Sequence, residues 1–260
     1  MSDLINRLEQ ALRGTAAKPI GFGPAATRPP AAQLVLVLAL PRPAAELLPA
    51  LAAAGADGVM LPAAPEAEFV TAAKEHKLVW GVRAGVTGAQ DVQALKEAGC
   101  DFVVYEVDSP AHLFDQAGIG QVLELESGAA EALAGGLERL APAAVYLPLD
   151  DMPYLSIRRV ILCQRLARLG HKPLLVQAHP AIAAEELATL CDAGAAGVVV
   201  EARGPDVPAL AKRLRGAIAA LPPRGKRTKA PRATAILPRL HLAPTDADEG
   251  EPPEEPDEGE

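Results

Sequence analysis

The chain has 260 residues, a formal net charge of -8 and a mean hydropathy of +0.14, with 50% hydrophobic residues but only 3% aromatic ones. The charge is local: residues 246–260 hold nine acids and no base, so the remainder is -8 + 9 = +1, a near-neutral surface that excludes nucleic acid as an electrostatic partner. No run approaches the roughly 18 apolar residues of a membrane helix, the amino terminus carries no signal-peptide pattern, and Cys100, Cys163 and Cys191 are scattered without a CxxC pair, which together predict a cytoplasmic protein with no membrane partner.

Leu4, Ile5, Leu8, Ala11 and Leu12 recur at helical spacing behind Ser2 as N-cap and before Gly14 as stop, which predicts an amino-terminal helix. Its expected job is to cover the bottom of the following domain or a subunit partner in a homo-oligomer. Residues 15–33, rich in Pro, Gly and Ala, read as a loop. From there, short apolar runs begin near Leu34, Gly58, Leu78, Phe102, Gln121, Ala144, Leu174 and Gly197. A helix-like stretch follows each. Strands alternating with helical stretches imply parallel βαβ units, and eight of them close an eightfold βα barrel, the TIM-barrel class. AAGADGV at 53–59, EAGCDFV at 97–103 and DAGAAGV at 192–198 each place glycine where a helix ends in the left-handed region and turns into the next strand. The predicted organisation is a helix and loop at 1–33, one α/β barrel at 34–221 and a tail at 222–260. The tail joins a basic, proline-rich stretch to the acidic run and reads as disordered, with an unknown partner.

Helices cover the outside of a barrel strand, so polar residues within a strand belong to the lumen or to the carboxyl end where sites are built. That filter selects Arg83, Glu106, Glu124 with Glu126, Asp150, Gln177 with His179, and Glu201 with Arg203. Five acids against two arginines and a histidine need compensation. Either the acids pair with Arg83 and Arg203, or a divalent cation, Mg²⁺ or Mn²⁺, is held by carboxylates at the strand ends.

The segment LELESGAAEALAGGLERLAPAAVYLPLDDM at 123–152 resembles class II 2-keto-acid aldolases and citrate-lyase-like lyases. The resemblance implies a metal held by Glu126, with Glu124 as the alternative, and by Asp150 or Asp151. LVWGVRAG at 78–85 is similar to the strand that supplies that family's arginine, implying that Arg83 clamps a substrate carboxylate. Gln177 and Arg203, selected as strand-end polar residues, are the further candidate substrate contacts. The loops directly after strands one and two hold no histidine to act as that family's base, PAAPEAEF offering only Glu66 and Glu68, and His179 is the candidate base in a different arrangement. The leading expectation is a metal-dependent carbon-carbon lyase or aldolase-like enzyme acting on a small carboxylated substrate. Two alternatives stand beside it: a non-catalytic binding or scaffold barrel, and a phosphate- or flavin-binding barrel oxidoreductase or epimerase.

Overall fold

The apolar runs form eight parallel strands: β1 (Val35–Ala39), β2 (Gly58–Leu61), β3 (Val79–Arg83), β4 (Phe102–Tyr105), β5 (Gly120–Glu124), β6 (Ala144–Leu147), β7 (Leu174–Ala178) and β8 (Gly197–Glu201). Each pairs with its sequence neighbours, and β8 closes onto β1 with Gly197 beside Val35 and Glu201 beside Ala39. The chain is therefore a closed eight-stranded βα barrel. Every strand begins within one residue of its apolar run in the sequence. The computed structural model describes residues 2–13, 33–83, 88–115, 118–133, 136–140, 142–148, 152–169, 172–204 and 206–222. Gly14, most of the 15–33 loop, Asp150, Asp151 and the tail from residue 223 lie outside them.

Helix α1 (Asp3–Arg13) precedes the barrel; α2 (Leu48–Ala53), α3 (Ala67–Glu75) and α4 (Ala89–Ala98) follow the first three strands. A single 3-10 turn, Ala111–Asp115, bridges β4 and β5. Then come α5 (Ser127–Leu133) and α6 (Leu137–Leu140) before β6, and α7 (Ile157–Leu169), α8 (Ala184–Asp192) and α9 (Val207–Ala219) after β6, β7 and β8. The glycines of the three αβ loops, Gly55, Gly99 and Gly194, have φ of 84°, 89° and 100°, the left-handed conformation their helix ends require. No described helix is long and apolar enough to cross a membrane.

Alternation along each strand divides the core in two. Leu34, just before β1, and Leu36 and Leu38 on it pack outward against the helices, and Val35 and Val37 face the lumen. The lumen is filled by Met60, Val79, Phe102, Val104, Val122, Tyr146, Leu175 and Val199. With so few aromatics available, one large ring needs room: a Cβ on Gly81 would lie 2.5 Å from the Phe102 ring, so only glycine lets that ring lie across β3.

The amino-terminal helix closes the bottom of this lumen, since Leu4, Ile5, Leu8 and Ala11 belong to the same buried cluster. Burying three large aliphatic side chains contributes roughly 5–8 kcal/mol as an upper estimate. Polar contacts fix the helix in place. Asp101 accepts bonds from Ser2 Oγ (2.6 Å), Asp3 N (2.7 Å) and Leu4 N (2.9 Å), and Ser2 Oγ accepts one from Ile5 N (3.3 Å). Further along α1, Arg7 donates to the Asp57 carbonyl at 2.8 Å, and the Asp57 carboxylate pairs with Arg215 of α9. All three cysteines are buried thiols outside any disulfide.

Candidate functional site

With the bottom plugged, the lumen opens at the carboxyl ends of the strands, where a cavity of about 300 Å³ is lined by apolar Ala39, Met60 and Leu61 on one side. Arg83, Glu106, Tyr146, Gln177 and Glu201 supply its polar wall. A few convergent polar groups in a largely apolar hollow is the usual make-up of a small-molecule site.

Arg83 is the last residue of β3 and faces inward in phase with Val79 and Gly81. Its Nε donates to Glu124 Oε2 at 2.8 Å and its Nη2 to Glu124 Oε1 at 2.7 Å, a bidentate, charge-assisted pair reaching from β3 past β4 to β5. Glu124 is buried, whereas the Arg83 side chain is 41% exposed. The bond to Glu124 raises the Arg83 guanidinium above its ordinary value against the opposing effect of burial. Among the described residues no bond reaches Nη1, and Arg83 lines the cavity.

Beneath Arg83 lies Tyr146, its ring centroid 5.5 Å from the guanidinium carbon, within cation–π range. The Tyr146 hydroxyl donates to Gln177 Oε1 at 2.6 Å. Burial pushes its phenol upward, partly offset by Arg83, so it stays a neutral donor.

The ends of β6 and β7 are joined from outside by Arg159 of α7. This buried guanidinium donates through Nη2 to the carbonyls of Leu147 (3.1 Å), Pro148 (2.7 Å) and Gln177 (2.9 Å), holding the backbone on which Tyr146 and Gln177 sit. Glu186 latches the adjoining loop by accepting bonds from Leu155 N (2.9 Å) and Ala183 N (3.0 Å), and these bonds lower its carboxyl below the usual range.

Arg83, Gln177, Glu106 and Glu201 come together at the cavity as their strand positions require. His179 lies just beyond β7, where its Nδ1 accepts a bond from Ala181 N at 3.1 Å, and it lines a separate small cleft beside Arg159 and Glu186. Arg203 is 74% exposed and bonds Glu201 Oε1 through Nε and Nη2; it does not line the cavity. Glu126 is exposed two residues past the end of β5, and Asp150 lies outside the described residues.

The expected metal ligands Asp150 and Asp151 lie outside the described residues, and the described ones are not gathered for an ion. Both oxygens of Glu124 bond Arg83, Glu126 stands beyond the strand, and no group of three His, Cys, Asp or Glu side chains among the described residues is arranged to hold an ion. Pairing with Arg83 and Arg203 accounts for Glu124 and Glu201. Sequence reasoning missed Tyr146, hidden in the apolar run AVYL where nothing marks the strand's phase, and Arg159, one arginine of several in α7.

No family model matches the chain, and no curated protein matches it. Solved structures do. Thiamine phosphate pyrophosphorylase from Pyrococcus furiosus is 11% identical with a TM-score of 0.54, over 72% of this chain and 96% of that one. Mycobacterium tuberculosis tryptophan synthase is 16% identical with a TM-score of 0.56, over 71% and 92%. A mutant tryptophan synthase alpha-subunit from P. furiosus is 19% identical with a TM-score of 0.55, over 72% and 97%. At these identities the likeness shows the barrel alone, and the resemblance of residues 123–152 to class II aldolases finds no support in it.

Proposed function

We propose that this barrel binds a small carboxylated molecule at its mouth and carries out lyase-type acid-base chemistry on it. The observation that carries this reading is Arg83: Glu124 fixes one edge of its guanidinium, no bond among the described residues reaches Nη1, and the residue lines the cavity. A planar fork held in this way is preorganised to take a second carboxylate end-on. Glu106 follows β4 in the same wall, and among the described residues no side chain bonds its carboxylate. It is the group free to exchange a proton with a molecule seated on Arg83. Tyr146 and Gln177 form a neutral polar floor that orients the ligand.

The test is turnover of a panel of two- to six-carbon keto, hydroxy and amino acids, followed by proton NMR with wild type and Glu106→Gln. Turnover that falls by about 10²-fold or more in Glu106→Gln is expected. Binding without turnover of any compound would instead favour the non-catalytic binding barrel, which the Arg83–Glu124 pair also suits.

A further inference from the structure

The charges at the mouth do not balance for a simple carboxylate. Among the described residues, Arg83 pairs with Glu124, and Glu201 with the exposed Arg203 outside the cavity, leaving Glu106 as the odd charge. The formal sum of these five groups is -1. A plain carboxylate entering this cavity raises the negative charge further in a partly desolvated space, which is unfavourable. A ligand carrying one positive charge beside its carboxylate avoids that cost.

The wall has a seat for such a charge. Arg83 lies beside Val104 in the β3–β4 register, and Glu106 follows two residues on. Strand spacing and rise put the Arg83 and Glu106 Cα atoms about 8 Å apart. Their side chains can therefore reach the two ends of one small molecule. Resting on the reading that Arg83 takes a carboxylate, we infer that the ligand is a small amino acid in the zwitterionic form, its carboxylate on the open edge of Arg83 and its ammonium on Glu106. A cavity of about 300 Å³ restricts it to the smaller members of that class. The carboxylate–ammonium contact is also the one across which Glu106 exchanges its proton.

The experiment compares matched ligands by calorimetric titration and thermal shift at pH 7. The probes are the protein amino acids, β-alanine and γ-aminobutyrate, their deaminated or hydroxy acid counterparts, and the corresponding amines. The expected result is that at least one amino acid binds about 10- to 100-fold more tightly than its deaminated partner. Glu106→Gln, an exposed substitution that leaves the fold intact, should erase that preference while leaving the deaminated acid as tight or tighter. Deaminated acids that bind as well as amino acids, or a preference that survives Glu106→Gln, would overturn the inference and leave the carboxylate site standing. If no amino acid and no deaminated acid binds, both the inference and the proposed function fall.

Discussion

Replacing Arg83 with methionine should cost far more than replacing its partner Glu124 with glutamine, although both changes break the same pair. The Glu124 side chain is 7% exposed and the Arg83 side chain 41%. Breaking a fully buried pair costs about 3–5 kcal/mol and an exposed one at most about 1 kcal/mol. Without Arg83, a carboxylate is stranded in the lumen between β4 and β6, which places Arg83→Met at about 2–4 kcal/mol. Without the Glu124 charge, the guanidinium turns to water, and Glu124→Gln costs about 1 kcal/mol. The double variant removes the stranded charge and should be more stable than Arg83→Met alone. For a domain of this size each kcal/mol moves the midpoint by about 2–4 °C, so Arg83→Met should melt about 5–15 °C below wild type by circular dichroism. Equal losses in the two single variants, or a double variant less stable than Arg83→Met, would refute the asymmetry.

The Tyr105 hydroxyl is buried with no hydrogen-bond partner among the described residues and burial raises it to about 12, so Tyr105→Phe should leave stability unchanged or raise it by about 1 kcal/mol in urea unfolding. Asp101→Ala removes three bonds at the start of α1 and should cost about 1–3 kcal/mol, with hydrogen exchange rising in residues 3–13. Arg159→Met severs three bonds to carbonyls; the expected loss is about 2–3 kcal/mol, with weakened ligand binding as the Tyr146–Gln177 floor loosens. Glu186 has a carboxyl lowered in the folded state. Its contribution is therefore present above the ordinary value near 4.3 and disappears as pH falls through the lower folded value. Glu186→Gln should flatten the acid limb of a stability profile in that window.

The barrel was legible because its strands are buried on both faces and read as unbroken apolar runs, punctuated by glycines such as Gly55, Gly99 and Gly194. That continuity hides phase: in AVYL nothing distinguishes Tyr146, which faces the lumen, from Val145 and Leu147, which face the helices. Arg83, Gln177 and Glu201 were legible because a polar side chain inside an apolar strand has only the lumen to occupy. The Arg83–Glu124 bond was not, since it joins strands separated by β4, and only the curvature of the closed sheet brings the two side chains together. Glu126 was selected with Glu124 as a strand residue, but β5 ends at Glu124 and the chain turns into α5, so Glu126 stands beyond the strand. Arg159 could not be separated from its neighbours in IRRVILCQRLARL without knowing which face of α7 meets the carbonyls of β6 and β7.

Calorimetric titration of small carboxylic acids into wild type and into Arg83→Met/Glu124→Gln tests the mouth directly, because the double variant keeps the lumen free of a stranded charge and removes only the fork. The account predicts that wild type binds at least one such acid and that the double variant loses that binding by about 10-fold or more. Equal affinity in the two proteins would contradict it, since the carboxylate would then be held somewhere other than the open edge of Arg83.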